Sequence, residues 1–267
     1  MKNNIILSSF LLLIISVSVA SEYKLGRDYG SLSRPLPVKE DGVVDVVEVF
    51  WYGCGHCFNL APITAKWSKQ QDSSVNYQKM PVTWGPIHQL HAKLFYTIEA
   101  LGIGDTAHSA VFTAMHKEGN FLGSEGAILK FLEKLGVDQS ETIKYMNSFS
   151  VRQKVKRAIE LSKQFKVTAT PMIFVDGQYR IEAKGGHSKM LKVVDHVIEL
   201  QKTIEQLKEL EETGKAETLH TNLKSAKEEA IRSLKDSIEL YEEGDTVIKF
   251  GNHRFGVNKQ PLDLNIV

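Results

Sequence analysis

Cys54 and Cys57 are the only cysteines in this 267-residue chain, and they enclose the dipeptide Gly55-His56. A disulfide between them would close a loop too short to restrict the unfolded chain much, so stability is a poor reason for its presence. Reversible oxidation suits the pair better. The thiolate, not the thiol, attacks disulfides. A second thiol three residues away can then break the mixed disulfide that results. Cys54 is expected to attack and Cys57 to resolve.

Such a pair needs a place where a thiolate is stable. Val43 to Phe50 reads Val-Val-Asp-Val-Val-Glu-Val-Phe, too apolar for a half-exposed strand and suited to a buried central one. A helix is expected from Cys57 to about Gln70, so Cys54 falls where a strand ends and a helix begins. The first turn of a helix carries unpaired N–H groups and partial positive charge. A free cysteine titrates near ~8.5 and reactive ones at roughly 3.5–7.5. A drop of about three units requires about 4 kcal/mol, whereas a helix terminus supplies about 0.3–1 kcal/mol and at most ~2. The dipole alone is therefore too weak. His56, a cation or N–H donor between the two sulfurs in sequence, is the expected second contributor.

Other chemistry fits the composition less well. A Cys-x-x-Cys pair is half of a zinc site, but structural zinc takes four ligands and the sequence has no second cysteine pair. His88 and His91 stand three apart and read as helix-surface histidines with nothing tying them to Cys54. No metal and no cofactor is expected. An inert disulfide is the remaining plain alternative.

The elements around the pair alternate. Val75 to Val82 reads as a second strand, giving a strand–helix–strand unit. Residues 87–166 turn helical. Ile87, Leu90, Leu94, Ile98 and Leu101 recur every three or four residues before Gly102, and Ala127, Ile128, Phe131, Leu132 and Leu135 do so before Gly136. Asp138 with Glu141 forms a capping-box pattern, and Val151 to Phe165 closes the block. Strands then return at Met172 to Val175 and Gln178 to Glu182, joined by the turn pair Asp176-Gly177. A last helix is expected from about Ser188. The helical block reads as an insertion into a sheet domain.

The two ends differ from the middle. Lys2 is the only charge before Glu22, and Ile5 to Val19 is apolar apart from serines. Ser18-Val19-Ala20 completes a secretory signal expected to be cut after Ala20. The apolar run is shorter than the ~20 residues a spanning helix needs. Without residues 1–20 the chain has 32 basic and 32 acidic residues, which offers no attraction to nucleic acid or to a charged membrane. At the other end, Val193, Val197, Leu200, Ile204 and Leu207 make a narrow apolar seam that Gly214 interrupts. A second helical stretch is expected over 217–243, then β-like stretches at Thr246 to Phe250 and His253 to Val257. Residues 199–243 carry 12 acidic and 7 basic side chains. They read as a solvated helical hairpin on their own domain, with self-association as the alternative.

Several of these features together resemble a known family. The Cys-x-x-Cys pair follows a β-run, Pro62 lies eight residues past Cys54, and Thr170-Pro171 directly precedes a strand. This pattern resembles the thioredoxin fold. The helical insert and the signal narrow the resemblance to periplasmic disulfide oxidoreductases of the DsbA family, over roughly residues 40–200. The resemblance implies an α/β, thioredoxin-like fold built from 21–86 and 167–199, with an inserted helical domain at 87–166 and a mainly helical extension at 200–267. It implies that Pro62 kinks the active-site helix and that Thr170-Pro171 is a cis-proline loop lying against the cysteines. Thr170 and Pro171 would offer backbone groups to an extended substrate. Glu48 would be a buried acid beneath the site that tunes the thiols; an edge-facing strand glutamate is the ordinary alternative. Lys79 would be its cross-strand neighbour.

The implied activity is oxidation of cysteines in unfolded or folding exported proteins. A quinone-linked membrane partner of the DsbB type would restore the disulfide. Gly55-His56 departs from the Pro-His of the best-known DsbA and matches protein disulfide isomerases. Reference potentials of about −120 mV for DsbA and −180 mV for the isomerase make that a meaningful difference. Two other functions therefore stay open: a disulfide isomerase acting as a self-associated form, and a polypeptide-binding module with a secondary redox role.

Overall fold

A computed structural model of the chain describes residues 23–39 and 41–214, isolated positions at 218, 221, 225 and 228, and the backbone of 247–250 and 253–256. The expected signal at 1–20 lies outside the described residues, as does most of the helical stretch expected over 217–243. No helix among the described residues is long and apolar enough to cross a membrane. The chain divides into two units between Glu205 and Gln206.

The first unit is organised around strand β2, Val44–Phe50. Its valine-rich run is buried on both sides because it lies inside the sheet. Strand β1 is Tyr29–Ser31, β3 is Val75–Pro81, β4 is Met172–Val175 and β5 is Tyr179–Glu182. The order is β1-β5-β4-β2-β3. β2 runs parallel to β3 and antiparallel to β4. Pro81, which has no N–H to give, ends the edge strand β3, where a missing ladder donor costs least. Side chains alternate across β2. Val46 packs with Leu60, Trp67, Val193 and Val197 on one face. Val49 packs with Met80, Phe165 and Phe174 on the other, where the last two rings stack 4.5 Å apart.

Among the described residues, seven helices flank or extend the sheet. Helix α1, Gly55–Ser68, follows β2 and contains Pro62. The insert holds α2, Pro86–Ala100, α3, Gly104–His116, α4, Glu125–Lys134, α5, Gln139–Met146, and α6, Phe149–Gln164. Helix α7 is His187–Glu212. The starts are set by local chemistry. Ser124, Asp138 and Ser148 each accept a first-turn N–H. The β4–β5 turn needs left-handed backbone at two positions, and Asp176 and Gly177 supply it with φ of 49° and 58°. Gly177 is required twice over, since a Cβ there would lie 2.7 Å from the Leu36 side chain.

Three readings change. The active-site helix starts at Gly55, not Cys57, because Cys54 itself caps it. Residues 104–116 form a helix of their own, although the sequence pattern marked only a helical block. Residues 29–31, not marked by the sequence pattern, form strand β1, which pairs with β5. Helix α7 carries the seam as one long helix through position 200 to Glu212, and the seam's first residues, Val193 and Val197, bury against this chain's own sheet. Buried Gln201 on α7 donates to Asp176 Oδ2 at 2.9 Å, and Asp176 Oδ1 accepts the Asp45 amide at 2.7 Å. These bonds tie the helix to the hairpin turn and to β2.

In the second unit, β6, Val247–Phe250, pairs antiparallel with β7, His253–Gly256. The two β-like stretches expected there form a hairpin with a two-residue connection.

Candidate redox site

Cys54 is the residue before the first turn of α1, with extended backbone at φ −90° and ψ 116°. Its sulfur accepts the Cys57 N–H at 3.4 Å, the bond a serine makes in the same position. The first turn of α1 contains no acidic residue, so nothing there opposes a thiolate. Gly53 brings the chain in tightly. A Cβ at that position would sit 2.5 Å from the Trp51 ring. The Cys54 N–H in turn donates to the Trp51 carbonyl at 3.0 Å.

Both cysteines are free thiols here, and their surroundings differ. Cys54 is half-buried and Cys57 fully buried. The Cys54 thiol is pulled down to about 5, first by a hydrogen bond from the Cys57 thiol, against the cost of burial. The Thr170 side chain and the backbone N–H groups of Cys57 and His56 add to the pull. Cys57 is pushed far up by its bond to Cys54, by burial and by the Cys54 charge. The shortfall left by the helix dipole is therefore met by Cys57 and Thr170. His56 contributes its backbone N–H, while its side chain is exposed and faces the His187 ring at 6.4 Å.

Thr170 and Pro171 arrive from a distant part of the chain. The Thr170–Pro171 bond is cis, and Pro171 is buried. The Thr170 carbonyl lies 3.5 Å from Cys54 Sγ, where it can accept only from the protonated thiol. Glu48 is 2% exposed on the central strand, which removes the edge-facing alternative. It accepts from the Tyr77 hydroxyl. Lys79 is its register partner, and the Lys79 ammonium lies over the Tyr77 ring, 5.0 Å from its centre.

The DSBA-like thioredoxin domain family matches residues 45–197. Similar proteins include the thiol:disulfide interchange protein DsbA of Pseudomonas aeruginosa, 34% identical over 204 residues that make up 74% of this chain and 97% of that one. The DsbA of Azotobacter vinelandii is 32% identical over 185 residues, 68% of this chain and 86% of its own. The crystal structure of Pseudomonas aeruginosa DsbA superposes with a TM-score of 0.67 at 34% identity, covering 70% of this chain and 98% of that one. The chain belongs to the DsbA family. It is a thiol–disulfide oxidoreductase.

Membership in the DsbA family gives Glu48 a measurable consequence. Burial raises its pKa, opposed by Tyr77, Lys79 and Thr64. A carboxyl whose folded pKa exceeds its unfolded value stabilises the fold at low pH and loses that contribution as pH rises through the folded pKa. Glu48→Gln is therefore expected to raise stability at pH 7 by about 1–3 kcal/mol and to flatten the loss of stability that the wild-type carboxyl causes as pH rises above the ordinary carboxylate range. Urea unfolding at several pH values measures both. A less stable variant at pH 7 would show that the charged form is the favoured one.

The sequence pattern missed one group in this DsbA-family chain. His91 is not a surface histidine, and His88 is half-buried. His91 is 1% exposed and accepts from Trp51 Nε1 at 3.0 Å, while the His88 ring lies 4.6 Å from the Trp51 ring. From α3, His108 Nδ1 is 2.9 Å from the Tyr52 hydroxyl, and His116 Nε2 is 2.7 Å from the Tyr52 carbonyl. Spacing in the sequence gave no link between these histidines and residues 51–52. No group of three metal-binding side chains occurs among the described residues. A cavity of about 490 Å3 between α1 and the insert is lined by Phe58, Pro62, Lys79, Phe95, His108 and Phe112, and neither cysteine reaches it.

Proposed function

We propose that the mature chain, cut after Ala20, is an exported dithiol oxidase. In its oxidised form, one thiolate of an unfolded client attacks Cys54 Sγ, and Cys57 leaves as the thiolate. The client's second thiolate then attacks its own sulfur in the mixed disulfide and expels Cys54. The client loses two electrons and the cysteine pair gains them. A quinone-linked membrane partner of the DsbB type takes those electrons and restores the pair. The client lies extended along Thr170 and Pro171, and His56 offers its amide to Cys54. The observation that carries this reading is the asymmetry of the two sulfurs. Cys54, held near pH 5, is a good leaving group, because a thiol of lower pKa leaves faster.

Residues 21–267 mixed in oxidised form with reduced, unfolded ribonuclease are expected to transfer one disulfide per protein. Sedimentation is expected to give a monomer, with negligible recovery of scrambled ribonuclease. A dimer that recovers scrambled ribonuclease would support the isomerase reading that the Gly55-His56 pair keeps open. Client binding unchanged in Cys54→Ala with Cys57→Ala would support a polypeptide-binding module instead.

A further inference from the structure

We infer that the helical insert sets the redox strength of the cysteine pair, through three histidines that hold Trp51 and Tyr52 in place. The inference rests on Cys54 being the sulfur that the client attacks and later expels in the proposed function.

The residues that the histidines hold are the ones that orient the sulfurs. The Trp51 carbonyl takes the Cys54 N–H at 3.0 Å. The Trp51 backbone also favours the Cys57 thiolate. One residue, Trp51, therefore serves both cysteines from the strand side. Tyr52 follows it and is 1% exposed.

Each hold comes from the insert. His91 on α2 accepts the Trp51 indole N–H at 3.0 Å, which requires His91 Nδ1 to carry no proton. His108 on α3 pairs through Nδ1 with the Tyr52 hydroxyl at 2.9 Å. His116, the last residue of α3, lies with Nε2 2.7 Å from the Tyr52 carbonyl. A carbonyl only accepts, so His116 Nε2 carries the proton. The His116 ring also stacks on Phe58 at 4.9 Å and 10°, and Phe58 is the residue after Cys57. His116 thus touches the chain on both sides of the Cys-x-x-Cys pair. Buried hydrogen bonds in series reinforce one another and leave little freedom to their peptides. The histidines are positioning residues. None of them donates to or accepts from a sulfur.

His116 separates this role from simple packing. His116→Phe keeps a flat ring on Phe58 and removes the N–H. His116→Gln loses the ring and places an amide N–H near the same point. With the full mature chain, thiolate absorbance is titrated against pH, and the protein is equilibrated with glutathione. Melting curves are recorded alongside. His116→Phe is expected to raise the Cys54 midpoint. It should also make the protein a weaker oxidant by about fivefold in the glutathione equilibrium, about 20 mV at 29.6 mV per decade. His116→Gln is expected to return both values to within about twofold of wild type. If His116→Phe does not fold, His116→Asn, too short to reach the carbonyl, takes its place in the comparison. Wild-type values in the N–H-less variant would overturn the inference, as would a His116→Gln variant shifted as far as it. A wild-type chain with no thiolate below pH 7 would overturn the proposed function itself, which the same titration reports separately.

Discussion

Cys54→Ser loses catalysed dithiol oxidation by about 10³-fold or more, to the background rate, while Cys57→Ser retains attack and accumulates mixed disulfides. The first result follows from the site's geometry, because Cys54 is the half-buried sulfur and the one lowered to about 5. A serine hydroxyl in the same cap would still accept the residue 57 N–H and keep the helix start, so the loss reports chemistry and not folding. The second result follows from how Cys57 is controlled. Its thiol is raised first by the bond to Cys54, then by burial and by the Cys54 charge. When Cys54 is bonded to a client sulfur, that charge is gone and burial remains. Cys57 becomes easier to ionise at the stage when a resolving thiolate is needed. Non-reducing gels of Cys57→Ser with a disulfide-bonded client should show a covalent complex that dithiothreitol releases. Turnover at near wild-type rate in either variant would remove the assignment of attacking and resolving sulfurs.

The reduction potential of the wild-type chain is expected to change slope with pH near 5. Above that point reduction yields one thiolate, Cys54, and one thiol, Cys57, so it consumes one proton for two electrons. The potential should then fall by about 30 mV per pH unit. Below about 5 both sulfurs are protonated, and the slope should steepen to about 59 mV per unit. Stability of the reduced form changes in the same window. The folded Cys54 pKa is depressed from 9.0 to about 5. A depressed acid stabilises the fold above its unfolded pKa and loses that contribution as pH falls through the folded one. At pH 7 the difference, discounted because solvent reaches half-buried Cys54, is about 1–2 kcal/mol in favour of the reduced chain. Urea unfolding of reduced and oxidised protein at pH 7 and pH 4 should show the advantage shrinking with acid. A single slope of about 59 mV from pH 4 to 8 would mean that Cys54 is protonated at neutral pH.

Much of this protein was determined by local sequence. The β2 run, the cap at Cys54, the Asp176-Gly177 turn and the stops at Gly102 and Gly136 each depend on neighbours within a few residues. Backbone preference and hydrogen bonds of short reach decide them. The identity of the redox pair was equally local, since both sulfurs lie on one helix turn. Tertiary structure alone decided what surrounds the pair. Thr170 reaches Cys54 from 116 residues away, Tyr77 meets Glu48 across two strands, and His91, His108 and His116 converge on Trp51 and Tyr52 from two helices. The same holds for α7, whose seam pattern did not say whether this chain's sheet or another chain would cover Val193 and Val197. Side-chain periodicity specifies which face of an element is buried, but not which element buries it. That choice belongs to the folded packing, and here the packing determines how strongly a locally encoded thiol pair oxidises its clients.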